Sequence, residues 1–205
     1  MKNNSGRQLT VTGYYLDGEE NTSILPNMGL ARANSVKSHL QTLGVPAAQL
    51  LTRGLPIEGK WLEDGILTKG ADFSFAAKSA TDERIPSIAS RLIGKPLTVY
   101  FQTNQNTLTL SESQRKDFAD MFYYLDNVPG SNLAVSGHTD NVGARNYNVT
   151  LSQDRARFVK DYLVRKGGVD GEKLNVQGLG PDKPITTNAT AEGRSKNRRV
   201  EITLR

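Results

Sequence analysis

A strand–helix–strand unit occurs twice in this chain, and that repeat limits the folds open to it. Residues 9–13 (LTVTG) align with residues 133–137 (LAVSG). After a one-residue gap in the loop that follows, Arg32-Ala33 and Val36-Lys37 align with Arg155-Ala156 and Val159-Lys160. Arg53-Gly54 then falls close to Gln177-Gly178. In each copy an alternating apolar pattern, the period of a half-buried strand, gives way to apolar residues at helical spacing. A repeated unit of this kind buries its apolar surface by laying helices on a sheet, which predicts an α/β layered fold.

The copies are unequal. The first reads as a strand over 9–14, a loop, a helix over 30–43 ended by Gly44, and a short strand near 49–54. It has no strand and helix ahead of the repeat, and where the second copy has His138-Thr139-Asp140 it has Tyr14-Tyr15-Leu16, with Asp17 one place out of register. A strand pattern so soon after Met1 implies that a segment upstream has been cut away. Residues 1–78 are therefore read as a degenerate partial copy, kept for structure or dimerisation. Residues 79–95, with Ile85, Ile88 and Leu92 at helical spacing, are read as a linker containing a short helix, ended by Gly94 and Pro96.

Residues 96–205 read as the complete copy. A strand over 97–101 is followed by Ser111 and Gln114, placed as a capping box. Phe118, Met121, Phe122 and Leu125 then form an apolar stripe, and Pro129-Gly130 turns the chain into the strand at Leu133. Ser152 is read as the cap of the following helix, Gly167-Gly168 as its end, and strands follow at 174–178 and 199–204. The expected order is βαβαββ, an α/β sandwich with helices packed on one mixed sheet.

Composition removes several function classes. With 37% hydrophobic and 23% charged residues the chain is globular in type. No apolar run approaches the roughly 20 residues of a membrane-spanning helix, and the first ten residues are polar rather than signal-like. The absence of cysteine excludes disulfides, thiolate metal sites and cysteine nucleophiles. His39 and His138 are the only histidines, so no metal cluster of His and Cys can be assembled and none is expected. Neither Ser136 nor Ser152 belongs to a credible Ser-His-Asp arrangement, and no paired carboxylates stand at glycosidase spacing, so no catalytic residue and no cofactor is expected. The net charge of +5 is divided as +2 before residue 96 and +3 after it. That surplus is too small and too evenly spread for a nucleic-acid binder.

The segment over 133–157 concentrates the chemistry: a strand, a polar loop and a helix bring a carboxylate, Asp140, and a guanidinium, Arg155, to one crevice. Taken alone, Asp140 reads as an ordinary turn residue, and Arg155 reads as its structural salt-bridge partner. The surrounding motif changes that weighting. Gly137-His138-Thr139-Asp140, Gly143, Asn148, Leu151-Ser152, Arg155-Ala156, Gly178-Leu179-Gly180, Pro184, Asn188, Gly193-Arg194 and Asn197-Arg198-Arg199-Val200 occur in order. By these residues the second half resembles the OmpA-like C-terminal domain, a peptidoglycan-binding module shared by outer-membrane and flagellar-stator proteins. A partial copy ahead of a complete one resembles outer-membrane proteins of the Bacteroidetes type.

The resemblance implies a ligand, the diaminopimelate of the peptidoglycan stem peptide, held by the residues matching Asp140 and Arg155. The free end of that side chain is a zwitterion. Asp140 suits its ammonium, and the planar fork of Arg155 suits its carboxylate. Backbone N–H groups at a helix start beside Arg155 would add to the attraction. Asn148 and Thr139 are candidates for neutral hydrogen bonds. Arg198 and Arg199 are candidates for the rim, against the plainer reading of solvent-facing charges in a terminal strand. Many family members carry an acidic residue where this chain has Phe101-Gln102-Thr103-Asn104, so contacts from that loop are weakened and Asn104 stands as a lesser candidate. His138 is read as a scaffold histidine.

The function expected is a non-catalytic anchor in the periplasm, joining the cell wall to an outer-membrane component through the missing upstream region. The alternative is a protein–protein module, for instance a homodimer, in which wall binding has been lost.

Overall fold

The structure is a computed structural model that describes residues 6–57, 62–63, 66–77, 82–100 and 110–205. The first half comprises strand β1 (Arg7–Tyr15), helix α1 (Met28–Thr42), β2 (Leu50–Pro56), the short hairpin β3 (Leu62–Glu63) and β4 (Ile66–Leu67), and β5 (Ala71–Ala77). Helix α2 (Arg84–Leu92) follows. The second half comprises β6 (Leu97–Tyr100), α3 (Glu112–Asn127), β7 (Leu133–Gly137), α4 (Arg145–Gly167), β8 (Leu174–Gly178), α5 (Ala191–Asn197) and β9 (Arg199–Leu204). This is the α/β sandwich read from the sequence, with elements that reading lacked: β3, β4 and β5 in the first half and α5 in the second. The segment around Pro181 and Pro184 leads into the short helix α5, capped by the Thr190 hydroxyl accepting from Gly193 N–H at 3.0 Å.

The two halves repeat their pairing in register. In the first, Leu9 and Gly13 of β1 face Leu50 and Gly54 of parallel β2, and Phe75 and Ala71 of antiparallel β5. In the second, Leu133 and Gly137 of β7 face Leu174 and Gly178 of β8, and Leu204 and Val200 of β9. The first sheet runs β2-β1-β5 and the second β6-β9-β7-β8. Among the described residues the first half thus has no counterpart of β6.

Glycine sets the distance between helix and sheet. A Cβ added to Gly137 would lie 2.0 Å from the Ser152 carbonyl oxygen, and one added to Gly13 would lie 1.9 Å from that of Gly29. Each helix can rest on its parallel strands only because these strand positions carry no side chain.

The larger core lies between the second sheet and α2, α3 and α4, with Phe118, Met121, Val135, Val159, Leu163 and Ile202 wholly buried. The expected stripe on α3 faces it, and Ser111 and Gln114 do form a capping box. Ile88 and Leu92 of α2 and Ile24 and Leu25 of the β1–α1 loop enter the same core. Each such side chain contributes roughly 1.5–3 kcal/mol on burial. A smaller cluster, Leu9, Val11, Ala33 and Leu50, closes the first half.

Two sequence expectations are corrected. Helix α4 begins at Arg145, so Ser152 is not its cap. Its hydroxyl is buried within the helix, donating to Val149 O at 2.8 Å and accepting from Gly180 N–H at 2.9 Å. Arg155 consequently stands well inside α4, away from the free N–H groups of the first turn. The segment over 145–151 looked like loop because Asn and β-branched residues are weak helix formers. Here tertiary contacts decide its conformation.

Candidate functional site

The chain leaving β7 is pinned on both sides. His138 N–H donates to Arg199 O at 2.9 Å, Thr139 N–H to Gly180 O at 3.0 Å, and Leu179 N–H to Gly137 O at 2.9 Å. Asp140 then folds the loop on itself, with Oδ1 accepting from Val142 N–H at 3.1 Å. Gly143 takes a positive φ of 93°, and Asn148 Nδ2 donates to Val142 O at 2.9 Å. Arg145 ties the start of α4 to Asp182, with Nε 3.1 Å from Oδ1. These contacts hold Asp140 over the face of α4 that carries Arg155.

Asp140, Arg155 and Arg198 converge. Arg198 Nη1 donates to Asp140 Oδ2 at 2.8 Å, the two side chains being 27% and 13% exposed. The salt bridge expected between Asp140 and Arg155 is therefore corrected: Arg198 takes that place. The geometry follows from topology, because the antiparallel pairing of Gly137 with Val200 sets the start of β9 beside the end of β7. Asn197, wholly buried, fixes the approach. Its Oδ1 accepts from Ile185 and Thr186 N–H, and its Nδ2 donates to Thr186 O and Asn188 Oδ1.

Arg155 remains with charge to spare. Burial, and after it the like charge of Arg198, hold its guanidinium below the ordinary arginine value, while Asp140 and Tyr147 act in the opposite sense. Its Nη1 is buried and has no hydrogen-bond partner among the described residues. Arg198 Nε and Thr139 Oγ1 are in the same condition. Each of these three buried atoms costs about 1–3 kcal/mol while unpaired, and two of them belong to the neighbouring guanidiniums of Arg155 and Arg198.

The other candidates fall into place differently. Asn148 is buried and engaged with the backbone of the Asp140 loop, where it positions Asp140. Arg199 is 2% exposed, which corrects the reading of a solvent-facing charge. It projects from the sheet face opposite Val200 and Ile202, donating from Nε to Glu201 Oε1 at 2.8 Å and from Nη2 to Lys183 O at 3.1 Å. Nη1 of the same guanidinium reaches Asn197 O at 3.4 Å. Asn104 and Gln102 lie outside the described residues. His138 is buried, and its imidazole is held below its usual range by burial and then by Arg199, against the pull of Glu201. Among the described residues no three metal-ligating side chains come together.

Tyr147, Asn197 and the pairing of Arg198 with Asp140 were missed as parts of the site. Arg198 and Asn197 stood in the motif that carried the resemblance, but nothing local assigns their partners. Tyr147, 66% exposed beside Arg155, gave no signal at all.

Known proteins share this half of the chain. Outer membrane porin F of Pseudomonas aeruginosa is 38% identical over 116 residues, 57% of this chain and 32% of that protein. Peptidoglycan-binding protein ArfA of Mycobacterium tuberculosis is 49% identical over 76 residues, 37% of this chain and 23% of that protein. The chain thus spans about a third or less of the length of these two relatives. The crystal structure of the peptidoglycan-associated lipoprotein from Burkholderia pseudomallei is similar at 25% identity and a TM-score of 0.44, covering 53% of this chain and 89% of that one. The OmpA family matches residues 100–198. That matched stretch contains Asp140, Arg155 and Arg198, and by it this half of the chain is similar to the OmpA family.

Proposed function

We propose that the second half binds peptidoglycan without catalysis, by gripping the zwitterionic end of diaminopimelate in the stem peptide. The observation that carries this reading is the buried, unpartnered Nη1 of Arg155 beside the Asp140–Arg198 pair. Two guanidiniums and one carboxylate leave a surplus positive charge, which a ligand carboxylate balances as a charge-assisted, bidentate partner of Arg155. The ligand ammonium then shares Asp140 with Arg198, and Thr139 Oγ1, buried without a partner next to Asp140 in sequence, is the candidate for a neutral hydrogen bond. The name of the relative ArfA, a peptidoglycan-binding protein, supports the substrate class. In the cell this domain holds an outer-membrane component to the wall from the periplasm.

The test is co-sedimentation of the chain with purified sacculi, beside titration with stem peptides carrying free or amidated diaminopimelate. Arg155→Met is expected to remain folded and lose sedimentation, and amidation is expected to weaken binding at least tenfold. A wild-type chain that stays in the supernatant, or an Arg155→Met variant that sediments as well, overturns the reading.

A second role, compatible with the first, is self-association through the first half. Phe73 and Phe75 are 54% and 63% exposed on β5, whose outer edge pairs with no strand among the described residues. A mass in solution that stays monomeric at every concentration removes it.

A further inference from the structure

Arg32 stands in the first half where Arg155 stands in the second. The helix carbonyl that closes over the strand glycine belongs to Gly29 in α1 and to Ser152 in α4, and each arginine follows that residue by three. The strands agree with the helices. Because Gly13 and Gly137 occupy equivalent places, Asp140 corresponds to Leu16 and Arg198 to Lys69. The backbone bond from His138 N–H to Arg199 O likewise recurs as Tyr14 N–H to Gly70 O at 3.0 Å.

The partners of the two arginines differ. Arg32 Nη1 donates to Tyr14 O at 2.7 Å and to Glu19 Oε2 at 3.0 Å, and its Nη2 donates to Glu19 Oε1. This is a two-pronged grip on a carboxylate, the geometry for which a guanidinium is best shaped. Glu19 comes from the β1–α1 loop, the counterpart of the loop that carries Asp140. Its Oε2 also accepts from Leu16 N–H at 3.3 Å, and the Arg32 hydrogen bond holds its carboxyl below the usual carboxylate range. Lys69 pairs with Asp72 at 2.9 Å. Each of these cations in the first half therefore has a carboxylate of its own, whereas around Asp140 two guanidiniums meet one carboxylate.

We propose that Glu19 is an internal ligand. Its carboxylate occupies a carboxylate-binding site built around Arg32, so that the chain offers one site to external carboxylates and keeps a second, latent one closed. This rests on reading Arg155 as the receptor for a ligand carboxylate, and it extends that reading to the other copy. The predicted consequence is a stoichiometry of one bound carboxylate per chain, rising only when Glu19 is withdrawn.

The experiment uses the full chain with Arg155→Met in every variant, so that added acetate acts at Arg32 alone. Adding Glu19→Ala should lower Tm, and sodium acetate should restore at least half of the loss in a saturable manner, measured against sodium chloride at equal ionic strength. Adding Arg32→Met as well should abolish the saturable component. Equal responses to acetate with and without Arg32, or no saturable response in the Glu19→Ala variant, overturn the proposal. Should Glu19→Ala fail to fold, Glu19→Asp withdraws the carboxylate by one methylene and is read in the same way. Sacculus binding by the wild-type chain is scored separately. Its absence beside a successful acetate rescue sinks the Arg155 reading alone, and its presence beside a failed rescue sinks the internal-ligand proposal alone.

Discussion

Arg198 donates to Asp140 Oδ2 at 2.8 Å, so the carboxylate proposed to receive a ligand ammonium already holds a cation. A ligand must share or displace that bond, while the neighbouring Arg155 gains a partner it lacked. Binding at this place is thus an exchange on one side and a net gain on the other. The net gain lies with the ligand carboxylate.

Asp140→Asn tests the exchange. The amide oxygen can still accept from Val142 N–H, so the loop keeps its turn, but the charge that answers both Arg198 and a ligand ammonium is gone. Hydrogen bonds to charged groups are worth about 1.5–3 kcal/mol, which corresponds to a loss of affinity of roughly 10- to 100-fold. Isothermal titration with a stem peptide reads it, and an unchanged Kd would remove Asp140 from the site.

Ser152→Ala tests the link between helix and site. Removal of the hydroxyl leaves Gly180 N–H, bonded to it at 2.9 Å, buried without a partner. The expected loss is about 1–3 kcal/mol. Amide hydrogen exchange should accelerate at Gly180, and at Thr139, whose N–H is bonded to Gly180 O. Equal protection of both amides in the variant and the wild type would show that the hydroxyl carries no such role.

The fold was largely legible because its strongest signals are local. Gly13 and Gly137 close strands of alternating pattern, and Ser111 with Gln114 announces α3 within four residues of sequence. The start of α4 was not, because Asn146, Asn148 and Thr150 favour helix poorly, and the contacts made there are tertiary: Val149 lies close against Gly178 and Gly180, and Asn148 is bonded to Val142 O. Asp140 and Arg155 could be singled out, but the third member of the cluster depends on which strand neighbours β7. The burial of Arg199 had a readable trace: Arg199 and Glu201 lie two apart on a strand, hence on the same face, and pair there.

His138 should make stability depend on pH. Its folded pKa is depressed, by burial first and the Arg199 charge second, while Glu201 at 3.7 Å pulls the other way. An unfolded imidazole titrates near 6.5, so the unfolded chain binds the proton more readily than the folded one. The stabilisation from a neutral His138 is complete above that value and is lost as pH falls through the folded pKa. Tm measured from pH 8 downward should begin to fall near pH ~6.5, and His138→Gln should flatten that part of the curve. A variant with the wild-type slope would place the titration elsewhere.

Arg199→Met separates a structural arginine from a ligand-binding one. The side chain is held by Glu201, by Lys183 O and by Asn197 O, and 2% of its surface reaches solvent. Methionine fills much of the aliphatic volume, yet it leaves the Glu201 carboxylate and two carbonyl oxygens without their donor. Breaking a buried pair in this way costs about 3 kcal/mol or more, well above the effect of an exposed charge. Glu201 should then weigh more heavily on His138, drawing its pKa upward, because the cation that opposed protonation is gone. Chemical denaturation should show the loss of stability, and NMR titration of the imidazole should show the shift. Stem-peptide affinity of the folded fraction should stay within a few-fold of wild type. A large loss of affinity at unchanged stability would instead put Arg199 among the residues that touch the ligand.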